Sequence, residues 1–166
     1  MALVARYIID EALAEKHWQE IVTHYSHKKR YYHTLTHLQN LLAELEAIKA
    51  QIADWDTVLF ALYYHDIIYN ATRKDNEEKS AELARERLRE LQYPADKAER
   101  CVAHILATKS HTVSTDNDTN LFTDADLSIL GTDADNYTAY AQQIRKEYGI
   151  YPDFMYYPGR KKVLQH

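Results

Sequence analysis

The chain predicts an all-α domain, and three observations carry that expectation. Only three glycines and three prolines occur in 166 residues. Apolar residues recur at helical spacing in segment after segment, and no stretch alternates β-branched and polar residues as a half-buried strand would. At 46% apolar the chain has enough to bury a core. Its length suits one domain, 1–166, rather than two. A bundle of about six to eight helices is expected.

A first amphipathic helix is expected from about Ala5 to Tyr25. Ile8, Ala12, Leu13, Ile21 and Val22 lie among its apolar positions, with Asp10 and Glu11 near its start and His24 near its end. His17 and His24 share one face but are surrounded by charge, so both read as surface residues. The basic turn SHKKRYY follows, and Lys28-Lys29-Arg30 reads as solvated. Leu38, Leu41, Leu42, Leu45 and Ile48 then form a helical stripe. His37 starts that helix, and His33 lies about one turn earlier.

Asp54 or Asp56 caps the next helix, packed by Val58, Leu59, Leu62 and Ile67. Its stretch Ala61-Leu62-Tyr63-Tyr64-His65-Asp66-Ile67-Ile68-Tyr69 is apolar or aromatic nearly all round, as a buried helix is. A carboxylate there costs several kcal/mol unless it is paired or meets a cation. Either the helix end emerges into a cleft at His65-Asp66, or Asp66 has a cation.

A helix from Asp75 through Leu91 opens with Glu77 and Glu78, whose ordinary role is to complement the helix dipole. The segment from Pro94 to His111 places His104, Thr108 and His111 on one face, with Lys109 nearby. That face is either a buried polar seam or a wall of a metal or phosphate site. After a polar loop, Asp124 and Asp126 sit in LFTDADLSILG, and Gly131 closes the helix. Another helix ends at Gly149. Both glycines suit the left-handed position just past a helix. Arg145 and Glu147 are surface charges or groups standing behind a site. The tail FMYYPGRKKVLQH begins one more helix without a cap, which suggests a native chain that continues or a disordered end.

No run of eighteen apolar residues suggests a membrane span. The N-terminus lacks the basic flank and cleavage site of a secretory signal. A single cysteine, Cys101, suits a cytoplasmic setting. The net charge of −5, with no long basic run, argues against duplex nucleic acid as a partner.

The unusual polar groups are His37, His65, Asp66 and Asp126, followed by His33, His104 and His111. Imidazole and carboxylate without thiolate suit manganese, nickel, iron, zinc or magnesium. Two histidines and two aspartates would leave positions open for water and substrate, which is a catalytic arrangement.

The ordered set His…His-Asp…Asp, carried by RYYHTLTHL, LYYHDIIY and FTDADLSILG, resembles the HD superfamily of metal-dependent phosphohydrolases. The likeness is greatest to its small bacterial predicted phosphohydrolases, and more distant to cyclic-nucleotide phosphodiesterases. NEEKSA and IRKEYG resemble the same group. The resemblance implies an HD-like bundle with His37, His65, Asp66 and Asp126 as ligands of one or two divalent ions. His33 matches the proton donor, and Glu77 and Arg145 become site-adjacent.

A small phosphate ester or nucleotide would be the substrate. Its attacking water would have its pKa lowered from ~15.7 toward ~7. His104 and His111 would take a second ion or the substrate phosphate, while Lys109 and Arg145 would offset phosphoryl charge. Tyr31, Tyr32, Tyr63, Tyr64 and Tyr69 include candidates to line a pocket for a flat base. Two other readings stand beside the hydrolase, a di-iron oxygenase on the same scaffold and a non-catalytic metal-bound sensor. Oligomeric state is open, a homodimer included.

Overall fold

In the computed structural model, Leu3, Arg6, Tyr7 and residues 10–164 are described, the side chain of Val163 excepted. Among the described residues the chain forms eight α-helices and no strand. They are α1 (Glu11–Tyr25), α2 (Leu35–Ala47), α3 (Trp55–Tyr64), α4 (Asn76–Glu90), α5 (Ala95–Ala107), α6 (Asn117–Asp126), α7 (Ala134–Glu147) and α8 (Asp153–Val163). No described helix is long and apolar enough to cross a membrane.

Local chemistry fixes several boundaries. The Asp10 carboxylate accepts from the backbone N–H groups of Ala12 and Leu13, so α1 starts there rather than near Ala5. Ala5 and Ile8 lie outside the described residues. Asp54 caps α3 by accepting from Thr57 N–H. Asp56 instead takes Arg6 and the Tyr7 hydroxyl.

The centre of the fold is α3, which packs against α2, α4, α5 and α6. Val58, Ala61 and Leu62 have no exposed surface, and Leu45, Leu88, Ile105 and Phe122 close around them. A smaller cluster of Tyr140, Ile144 and Tyr156 joins α7 to α8, with Tyr32 packed against it. Among the partners of α3, both α2 and α6 bring one end up to its C-terminus.

Other sequence expectations change too, among them the helix expected to reach Gly131, which ends at Asp126 and gives way to a 3-10 turn over Ser128–Gly131. The apolar helix does not run on to Tyr69, because α3 stops at Tyr64 and His65 caps it. The chain can turn there because other elements satisfy its backbone. Arg30 donates to the carbonyls of Asp66 and Ile67, and Ser80 Oγ accepts from Ile68 N–H. Arg30 is therefore buried rather than solvated, at 8% exposure.

His17 is also buried, facing Glu90 and Glu20 across α1 and α4. Helix α5 ends at Ala107, so His111 leaves the face that carries His104. Finally, neither Gly131 nor Gly149 has a positive φ; Gln92 (54°) and His111 (50°) hold the left-handed backbone.

Candidate metal centre

The end of α3 brings its polar residues up against α2 and α6. His65 Nδ1 lies 2.9 Å from the Leu62 carbonyl, one turn back on its own helix. A carbonyl only accepts, so Nδ1 carries the hydrogen. In the neutral ring Nε2 is then a bare lone pair. That atom faces Asp66 Oδ2 at 3.1 Å, Asp126 Oδ1 at 3.6 Å and His37 Nε2 at 3.1 Å. His37, in the first turn of α2, also approaches Asp126 Oδ1 (3.4 Å) and Asp66 Oδ2 (3.8 Å).

Two carboxylates and two imidazoles so placed need a cation among them. Burial works to lower the pKa of His65, but Asp66 and Asp126 outweigh it, and the ring is held well above its ordinary value. Burial likewise opposes ionisation of both aspartates. His65 and His33 hold Asp66 below the usual carboxylate range, and hydrogen bonds from His111, His37 and His65 hold Asp126 far below it.

A proton on His65 is one way to supply the charge. A divalent ion is another, and the donors fit it. One ligand atom from each of His37, His65 and Asp126 falls within a 4.8 Å group. Asp66 Oδ2 is outside that trio but touches both rings. Adjacent donors bound at ~2.0–2.2 Å stand roughly 3 Å apart, close to the 3.1–3.8 Å separations here.

Of the remaining sequence candidates, His33 and His111 join the cluster. His33 Nε2 lies 3.7 Å from Asp66 Oδ2, and His111 Nε2 lies 3.3 Å from Asp126 Oδ2. His104 does not join: its Nδ1 bonds Thr119 Oγ1 at 2.8 Å, near Asp116, at the opposite end of α6. Burial there lowers its pKa.

Lys109 is engaged with Glu78 and the Lys74 carbonyl. Arg145 ties Asp153 to the carbonyls of Tyr148 and Tyr151, fastening α7 to α8. Glu77 is half-buried and shows no side-chain hydrogen bond or ion pair among the described residues; burial and then the Asp66 charge raise its pKa. Tyr32 packs on His33 and His37, and the Tyr69 ring lies 4.1 Å from that of His33. Tyr31 is exposed under Lys146, while Tyr63 packs on Trp18 and Tyr64 is core.

Two residues matter more than the sequence suggested. The side chain of Glu147, at the end of α7, is fully buried. Its Oε1 accepts from the N–H groups of Tyr31, Tyr32 and His33 at 2.7–3.0 Å, and its Oε2 meets His33 Nδ1 at 2.6 Å. Burial opposes its charge, but His33 and those N–H groups bring its pKa down to about 2. Burial also works to lower the pKa of His33, and Asp66 and Glu147 reverse this, leaving it raised.

Arg30 is the second. It donates to the carbonyls of His33, Asp66 and Ile67, with its guanidinium over the Tyr25 ring, so one side chain spans both segments that supply the centre. Only a pairing across more than a hundred residues reveals Glu147, and a basic run disguises Arg30.

The chain matches no protein-family model, no curated protein and no solved structure.

Proposed function

We propose that the chain is a metal-dependent phosphohydrolase of the HD type, acting on a small phosphate ester or nucleotide. The supporting observation is Nε2 of His65, the ring nitrogen left free by the Leu62 carbonyl, faced by two carboxylates and a second imidazole. His37, His65, Asp66 and Asp126 would hold one divalent ion, which supplies a Lewis acid for the phosphoryl group and a water acidic enough to attack near neutral pH. The four side chains are partly open to solvent on the Asp66 and Asp126 side, at 18% and 15% exposure, so a substrate can approach from there.

His33 is the proton donor in this reading. The buried charge of Glu147 keeps a hydrogen on Nδ1, which orients the ring and leaves Nε2–H of the imidazolium directed to the Asp66 side. With its pKa raised, the ring is protonated more fully near neutral pH, and it can protonate the leaving oxygen. Glu147 is a positioning residue, since it acts through His33. The Tyr69 ring against the imidazole stabilises its charged form.

A single ion is favoured over a di-iron oxygenase because His104, one of the two histidines offered for a second ion, sits at the opposite end of α6, against Thr119 and Asp116. The test is phosphate release from an aryl phosphate and from nucleoside monophosphates with manganese, nickel or zinc. Turnover should vanish in His65→Gln and Asp66→Asn. Glu147→Gln should lower kcat by about 10²-fold with KM little changed. Full activity in His65→Gln would remove the proposal.

A further inference from the structure

We infer that His111 is a positioning residue that fixes the carboxylate of Asp126, with its ring held in place by a strained backbone. The inference rests on the metal reading. After Ala107 the helix tightens, with Thr108 N–H to Ile105 O, Lys109 N–H to Leu106 O and His111 N–H to Ala107 O at 2.9–3.2 Å. Lys109 anchors this turn to α4 through Glu78 and the Lys74 carbonyl. His111 ends it at φ 50°, where a glycine is the usual occupant and a β-carbon is disfavoured. The side chain is three-quarters buried.

The contact made in return is with Asp126. Nε2–H of His111 can donate to Oδ2 at 3.3 Å, while Oδ1 of the same carboxylate faces His37 and His65. The two oxygens thus have separate partners, and the hydrogen bond sets the rotation that aims Oδ1 at the centre. Asp126 is the last residue of α6, where the helix dipole disfavours a carboxylate. Partners that orient a ligating carboxylate typically change metal affinity 10–100-fold.

Two substitutions separate the ring from the strain. His111→Gly removes the donor and relaxes the backbone. His111→Gln keeps an amide donor of similar reach and keeps the strained φ. Calorimetric titration with manganese or zinc, together with thermal melts in chelator, reads both. The expected result for His111→Gly is a Tm at or above wild type, with a Kd raised 10–100-fold and unchanged stoichiometry. His111→Gln should bind within about threefold of wild type.

A Gly variant that binds as tightly as wild type would overturn the inference while leaving the metal reading intact. A fall from two bound ions to one would also overturn it, by making His111 itself a ligand. Wild type taking up no ion would remove the metal reading and this inference together.

Discussion

The two ends of α6 make similar use of buried histidine and reach opposite results. Phe122 lies between them, its ring 5.8 Å from that of His65 and 6.3 Å from that of His104. At the N-terminal end, His104 bonds Thr119, while Arg100 stands near the acids Asp54, Asp116 and Asp118. Asp118 in turn accepts from the backbone N–H groups of Ala53 and Asp54, so these carboxylates have donors of their own. Burial dominates at His104, and its pKa falls.

At the C-terminal end, the neighbours of His65 are carboxylates whose needs are not met by any arginine or lysine among the described residues, and its pKa rises. Burial of a histidine does not by itself make a site. Whether the carboxylates beside it have other cations and donors does.

The largest effect should come from exchanging the same residue at each end. His65→Gln should weaken divalent-ion affinity by well over ~10²-fold, beyond what an outer partner contributes. His104→Gln should leave affinity unchanged and cost about 1 kcal/mol for the buried bond to Thr119. Equal losses of affinity from both variants, measured by calorimetry, would break the comparison.

Arg30→Ala sharpens it from the side of stability. Three carbonyls lose a buried, charged donor, and about 3 kcal/mol of unfolding free energy should go with it. Urea unfolding reads this directly, and a loss below about 0.5 kcal/mol would mean that water takes over the carbonyls.

The smallest effect is on pH dependence, and its sign differs between the two ends. The folded pKa of His104 lies below its ordinary 6.5, so its stabilising contribution is present above that pH and is lost as pH falls through the folded value. The folded pKa of ion-free His65 lies above 6.5, so its contribution is complete below that pH and disappears as pH rises through the folded value. Unfolding in chelator at a series of pH values should show His104→Gln flattening the acid side of the profile and leaving the alkaline side alone. An unchanged acid limb would contradict the assignment.

Much of this architecture was legible in the residues. Helical spacing and the scarcity of glycine and proline pointed to the bundle, and a His-Asp pair in apolar surroundings singled out the end of α3. What could not be read was where helices stop for tertiary reasons. The Ala61–Tyr69 stretch has helical composition throughout, yet Arg30 and Ser80 take over its backbone groups after Tyr64.

His104 and His111 look like one face only while α5 is assumed to continue; the turn at Ala107 sends the first toward Thr119 and the second toward Asp126. Glu147 stood open as either a surface charge or a group behind the site. Its role depends on a bond to His33 across 114 residues, which no local pattern encodes.

The central claim is that a divalent ion takes the place of the proton that His65 otherwise needs. It is tested most directly by titrating zinc or manganese into the chelator-treated chain near neutral pH, in two buffers of different ionisation enthalpy. One ion should bind per chain with release of roughly one proton, and Asp66→Asn should abolish the event. Binding without proton release, or binding untouched by Asp66→Asn, would contradict the account.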